Sequence, residues 1–225
     1  MIGKRYKVII VLFIFILIFL MQYYRIFAFY NTPTTNMFPV IKSGDAIMVT
    51  SLLKNKVTNG DLMVFKSLEN DIYGRPYEAV LRIMGCPGDT LEIKSGFLYR
   101  NRVLAEDTLN IGLFFLTNHS ILRNQIPKEI CEGNFGMGIV TTYKAVYETG
   151  DSSTFRRHFN HSGLPQSGRL LSDTAKYWAN NETGRFVVPK DHYFLLGDNR
   201  DNSLDSRFFG FLPKQHLIAK VIYIP

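Results

Sequence analysis

The sequence predicts a mainly β fold behind one N-terminal membrane helix. Three features point there. Short apolar and β-branched runs recur along the chain between Gly, Pro, Asn and Asp turn signals. One unbroken apolar stretch stands near the N-terminus. A central span richer in Asn, Ser, Thr and Gly interrupts the strand pattern. With 225 residues, 46% hydrophobic and 20% charged, the chain can bury a sizeable core. That composition excludes a collagen-like or mostly disordered chain.

The first element is the apolar stretch. Lys4, Arg5 and Lys7 precede Val8 to Met21, fourteen apolar residues without a break. Gln22, Tyr23 and Tyr24 bring the run to seventeen, the short end of a membrane span. Continuation through Ile26 to Tyr30 allows a longer, tilted helix with Arg25 snorkelling. Tyr23, Tyr24 and Tyr30 suit an interface belt. A cleavable signal peptide needs small residues soon after its core. Here QYYRIFAFY follows, with a single small residue. The segment 8–30 is therefore read as an uncleaved anchor. The positive-inside rule makes residues 1–7 a cytoplasmic tail. No second apolar run approaches membrane length, so 31–225 are expected on the extracytoplasmic side of a bacterial inner membrane.

Strand-like runs follow at Ala46 to Ser51, Leu62 to Phe65, Glu78 to Met84, Thr90 to Ile93 and Phe97 to Tyr99. More appear at Arg185 to Val188, Tyr193 to Leu196 and Leu217 to Ile224. Ser43-Gly44-Asp45, Asn59-Gly60-Asp61, Pro87-Gly88-Asp89 and Ser95-Gly96 supply turns between them. Segments 31–102 and 185–225 are read as one core. Residues 103–184 are read as an inserted region, with a short helix at Leu170 to Trp178.

Charge and side-chain chemistry narrow the function classes. The net charge is +7, and three of those charges sit ahead of the apolar run. No clustered basic face remains for a nucleic-acid partner. Arg100-Asn101-Arg102 and Arg156-Arg157 are too short and read as solvated surface. Two cysteines, Cys86 and Cys131, exclude a disulfide framework and a four-Cys zinc site. Whether they pair stays open, with Cys86 expected free. His158 and His161 are read as a polar surface stretch rather than a metal site.

Three segments then carry the functional reading. They are Thr34-Thr35-Asn36-Met37-Phe38-Pro39, Leu81-Arg82-Ile83-Met84-Gly85-Cys86-Pro87-Gly88-Asp89, and Gly197-Asp198-Asn199-Arg200-Asp201-Asn202-Ser203-Leu204-Asp205-Ser206-Arg207. The third, preceded by Val188-Pro189-Lys190-Asp191-His192-Tyr193-Phe194, is long and specific. In that order, behind an anchor, the segments resemble bacterial type I signal peptidases, the serine–lysine family. The resemblance covers roughly residues 1–102 and 185–225. It implies coiled antiparallel β-sheets with a smaller inserted region. It also implies cleavage of signal peptides from exported precursors, with no metal or organic cofactor.

Two positions depart from the family pattern. The family uses a Ser hydroxyl as nucleophile and a neutral, buried Lys amine as base. The nucleophile position, directly before the Met of a Ser-Met-x-Pro pattern, is Asn36 here. The base position, directly before the Arg that leads into Gly-x-Pro-Gly-Asp, is Leu81. An amide nitrogen has its lone pair delocalised into the carbonyl and is a poor nucleophile. Leu81 cannot accept a proton. Losing either member of a catalytic unit removes most of the rate. Leu in an apolar pocket should be neutral or stabilising where an unpartnered Lys would be costly.

The remaining motif residues keep roles by resemblance. Thr34 matches the hydroxyl that helps the oxyanion hole. Ser203 matches the residue that bonds the Lys amine, so with Leu81 in place it should bond backbone or water. Asp205 and Arg207 match a supporting ion pair. Thr35 could replace the nucleophile only by a one-residue slip that turns its side chain to the other face. Lys42 and Lys66 have no spacing argument behind them as bases, and Lys94 reads as a solvated hairpin residue. Asp198, Asp201 and Asp205 lack the Glu that closes a calcium loop.

Binding can outlive catalysis. The family holds its substrate as an added β-strand. Here Thr32 to Phe38 and Glu78 to Leu81 would supply the edges, with Met37, Pro39 and Val80 meeting the peptide. The leading expectation is an inactive signal-peptidase-like membrane protein. Its partners would be signal peptides, an active signal peptidase or export component, and membrane lipid. Two alternatives stand beside it. One is an active peptidase with a non-standard nucleophile. The other is an anchored scaffold that acts through 103–184.

Overall fold

The structure is a computed structural model. It describes residues 4–70, 74–94, 97–106, 109, 111–117, 133–135, 138–142, 155–157 and 184–225. The helix expected at Leu170 to Trp178, together with His158, His161 and Cys131, lies outside these residues.

Helix α1 (Lys4–Tyr23) carries the apolar run. Its stretch Tyr6–Tyr23 is long and apolar enough to cross a membrane, with mean hydropathy 2.4 and none of it buried in the protein. The helix does not continue to Tyr30 as the sequence suggested. Arg25 adopts φ 53°, a left-handed conformation that ends helices. The next carbonyls turn to new donors. Ser51 Oγ donates to Tyr24 O at 3.0 Å and Thr50 Oγ1 to Ile26 O at 2.5 Å. Ala28–Asn31 then forms strand β1.

Fourteen further strands follow among the described residues. They are β2 (Ala46–Thr50), β3 (Leu62–Asn70), β4 (Pro76–Gly85), β5 (Thr90–Lys94), β6 (Phe97–Arg100), β7 (Val103–Leu104) and β8 (Gly112–Thr117). Next come β9 (Gly133–Phe135), β10 (Gly138–Thr142), β11 (Phe155–Arg157), β12 (Phe186–Val187), β13 (His192–Leu196), β14 (Leu212–Pro213) and β15 (Leu217–Tyr223). Helix α2 is one turn, Ser206–Phe209. The fold is thus mainly β, and every strand pair in its ladders is antiparallel.

Seven strands form the main sheet, in the order β1-β2-β15-β3-β4-β13-β14. A second sheet orders β12-β5-β6-β7, and a third orders β11-β8-β10-β9. The third sheet falls wholly within the compositionally distinct span. The main core gathers side chains from every strand of the first sheet. Ile47, Val49, Met63, Leu81, Ile83 and Leu195 are fully buried there, beside Met37 and Ile41 from the loop after β1. A smaller core joins Leu91, Leu98 and Val188 to Phe194, whose ring packs 5.6 Å from Phe186 and 6.2 Å from Phe211.

The turn signals share one construction. Gly44, Gly60 and Gly88 sit at φ 94°, 93° and 89°, where a side chain would be strained. The Asp after each glycine accepts from the amide three residues back. Lys42 N meets Asp45 Oδ2 at 2.8 Å, Thr58 N meets Asp61 Oδ2 at 2.8 Å and Cys86 N meets Asp89 Oδ2 at 2.9 Å. These are carboxylate-closed turns. The turn at Gly88 joins β4 to β5 and thereby the two cores.

Asp89 turns this into a pH dependence. Burial alone would raise its pKa, but Asn59, the Cys86 amide, Asn101 and Arg100 together hold its carboxyl below the usual range. The fold therefore favours the ionised form. Its contribution is complete above the ordinary carboxylate pKa of about 4 and lost as pH falls through the folded value. Asp89→Ala should lower the unfolding midpoint at pH 7. The gap to wild type should narrow progressively as pH falls below about 4. Thermal unfolding of both proteins across that range checks this, and a pH-independent gap would contradict it.

Candidate functional site

The loop after β1 is fixed from behind. Thr32 Oγ1 contacts the carbonyls of Lys42 and Asp45 at 3.1 and 2.9 Å, and Gly44 N donates to Thr32 O at 2.7 Å. Met37 and Ile41 anchor the loop in the main core. Thr34, Thr35 and Asn36 are left on the open side, in a bend rather than a strand. Thr34 Oγ1 donates to Asn36 Oδ1 at 2.5 Å. Asn36 Nδ2 donates across to Val80 O, on β4, at 2.9 Å.

The third motif, 197–207, ties the loop to β4. Arg82 holds Asp198 through two contacts, Nε to Oδ1 at 2.7 Å and Nη2 to Oδ2 at 2.5 Å. Its third donor, Nη1, reaches Gly60 O at 2.7 Å. Burial pushes the Asp198 carboxyl up while Arg82 pulls it down, and burial dominates. Next in sequence, Asn199 N donates to Asn36 O at 3.0 Å and its Nδ2 to Thr35 O at 3.0 Å. Asn202 Nδ2 reaches Thr35 Oγ1 at 3.0 Å. The first motif is thus held by the third through Thr35 and Asn36.

Beneath this layer the charges are buried and paired. Arg200 pairs with Glu106 and donates from Nε to Gly197 O at 2.9 Å. Asp205 caps α2 through the Arg207 amide and accepts from Gly197 N at 3.0 Å. It also takes Arg207 Nε and Nη2, each at 2.8 Å. Arg207 Nη2 additionally reaches Arg200 O at 2.5 Å. Such networks stay folded only when nearly every donor and acceptor is matched.

Not every group is matched, and Ser203 is one that is not. Its hydroxyl is buried and has no hydrogen-bond partner among the described residues. The backbone bond expected for it is not made. A Cβ on Gly197 would lie 2.1 Å from Ser203 Oγ and 2.6 Å from Asn36 O. Only glycine there lets the first and third motifs meet so closely.

Between the loop and β4 runs a groove of about 510 Å³. Thr34, Asn36, Met37, Val80 and Ser203 line it. Leu81 does not line it; it is fully buried in the main core, opposite Met63 on β3. Pro39 also lies outside the lining, and Asp205 and Arg207 sit below it. Among the described residues, neither Lys nor His borders the groove. Lys94 is turned to solvent beside Glu92 at 3.3 Å. Cys86 is free, and burial followed by the Asp89 charge pushes its thiol up to about 11.

One cluster had no signal in the sequence. Glu78 Oε1 accepts from Arg25 Nη2 at 2.8 Å and Oε2 from the Tyr30 hydroxyl at 2.7 Å. The Arg25 guanidinium also lies 5.3 Å from the Tyr30 ring centroid. Burial and the bond to Glu78 push the Tyr30 phenol up. These partners stand 53 and 48 residues from Glu78, beyond any local periodicity.

Comparison with known proteins identifies the family. The sequence model of a family described as "Signal peptidase, peptidase S26" matches residues 5–224. A signal peptidase I of Aquifex aeolicus (strain VF5) is 31% identical over 228 residues, covering 97% of this chain and 83% of that protein. A signal peptidase I of Buchnera aphidicola subsp. Baizongia pistaciae (strain Bp) is 28% identical over 220 residues, covering 87% and 68%. A solved signal peptidase I from Enterococcus faecalis V583 aligns with 74% of this chain and 97% of that chain. Its identity is 21% and its TM-score 0.33, too low to carry an argument.

The orphaned hydroxyl and the paired carboxylate should respond oppositely to truncation. Ser203→Ala removes a buried hydroxyl with no partner among the described residues and should be neutral or stabilise by about 1 kcal/mol. Asp205→Ala strands Arg207 and the Gly197 amide and should cost about 3–5 kcal/mol. Denaturant unfolding of the two variants measures both, and a loss above about 1 kcal/mol for Ser203→Ala would show an unseen partner.

Proposed function

The chain belongs to the signal peptidase family, peptidase S26, and from that premise we propose that it binds signal peptides without cutting them. The observation that carries this reading is the content of the groove. Peptide hydrolysis by this family's chemistry needs a hydroxyl and a basic amine in contact. The position expected to hold the nucleophile is an amide, and its nitrogen is engaged with Val80 O at 2.9 Å. The position expected to hold the base is a Leu sealed in the core. No Lys or His among the described residues borders the groove to replace it.

The neighbouring hydroxyls do not supply a dyad. Thr34 gives its proton to the Asn36 amide oxygen, which is no base at neutral pH. Thr35 accepts from Asn202 rather than facing a proton acceptor. What persists is the binding architecture. The edge of β4 between Tyr77 and Val80 forms one wall of the groove. An extended peptide laid there gains main-chain hydrogen bonds, with small side chains fitting between Met37 and Val80.

In this reading α1 spans the inner membrane with 1–7 in the cytoplasm and the β core outside. The groove then waits where exported precursors emerge. The protein would hold signal peptides, or serve an active signal peptidase or export component, next to membrane lipid. Neither the binding nor the placement calls for a metal or cofactor.

A two-by-two exchange tests the chemistry. The full chain would be prepared as wild type, Asn36→Ser, Leu81→Lys and the double variant. Each is incubated with a precursor carrying an Ala-x-Ala site. Only the double variant should cut, faster than wild type by about a thousandfold or more. Cleavage by wild type, abolished by changing Thr34 or Thr35, would overturn the reading.

A further inference from the structure

The groove is crossed by side chains at two places. One wall runs from Tyr30 to Asn36 and the other from Glu78 to Val80. Asn36 Nδ2 bridges to Val80 O, and Tyr30 and Arg25 bridge to the Glu78 carboxylate. Glu78 and Val80 are two residues apart on β4, about 7 Å along the strand. A peptide strand lying between the walls must part both bridges.

The two losses are not equally recovered. At Val80 the peptide's own N–H replaces the Asn36 amide, because a strand always offers main-chain donors. At Glu78 the main chain offers no charge. The carboxylate loses a guanidinium and a phenol, and Glu78 is about one-third exposed. Leaving a carboxylate without its donors is unfavourable. Glu78 is the acidic residue among those that border the groove. A cationic side chain on the peptide restores what Arg25 and Tyr30 give up.

We propose that Glu78 makes the groove selective for extended peptides carrying Lys or Arg two residues from the amide that meets Val80 O. Arg25 and Tyr30 stand in for that side chain in the free protein. The inference rests on the peptide-binding reading above. It makes Glu78 a specificity residue and Arg25 its built-in competitor.

The test uses the full chain in detergent micelles and fluorescein-labelled extended peptides around an Ala-x-Ala pair. A single Lys is moved through successive positions and compared with a norleucine parent of equal length. One Lys position should tighten binding about threefold. Glu78→Gln should erase that preference. Arg25→Ala, which removes the competitor, should widen it to about tenfold. Raising the salt should narrow it. If all peptides bind wild type alike, or if the Lys preference survives Glu78→Gln, Glu78 is not the selector and only groove binding stands. If no peptide binds either wild type or Tyr30→Phe, the peptide-binding reading fails and the selectivity falls with it.

Discussion

The pairing of Arg82 with Asp198 is the constraint on which the groove depends. It joins a strand to a loop 116 residues further along. Both charges leave water, Asp198 entirely. Such a pair holds together only with two good contacts and a third partner for the guanidinium, and Gly60 O supplies it. Once Asp198 is fixed, Asn199 N is aimed at Asn36 O, and the loop after β1 is held against β4. The Arg200–Glu106 and Asp205–Arg207 pairs then secure the 197–207 segment itself.

Leu81 and Asn36, which the proposed function reads as departures from the family pattern, each fit their surroundings. A Lys at position 81 would bring an ammonium among Met63, Ile83 and Leu195, where its charge is strongly disfavoured. Leu81 replaces that cost with apolar contact. The Ser203 hydroxyl stays buried beside Gly197 with nothing to bond among the described residues. Asn36 commits its amide to Val80 O and Thr34. The polar groups beside the groove are thus turned towards each other and the β4 edge.

Much of this was legible in the sequence, and the reason is local. Gly44, Gly60 and Gly88 each need a positive φ, and each is followed by an Asp that closes the turn, so these strand boundaries could be read directly. The short apolar runs Leu62 to Phe65 and Glu78 to Met84, bounded by turn signals, placed β3 and β4 correctly, although both strands run longer. The third motif identified its neighbours because its residues bond one another. Long-range pairing was not legible. Hydrophobicity alone carried the anchor reading past Arg25, but a left-handed turn and bonds from Thr50 and Ser51 start β1 instead. Nothing near Tyr30 or Glu78 in sequence announces that they meet. Pro39, expected against the peptide, lies outside the groove because the loop turns back towards the core at Met37 and Ile41.

The central claim is that a precursor enters the groove and leaves whole. Native mass spectrometry of the full chain, released from micelles after long incubation with an Ala-x-Ala precursor, tests it most directly. The account predicts a complex whose bound peptide has the mass of the intact precursor. A complex holding the shortened signal peptide, or free mature product accumulating with time, would contradict it.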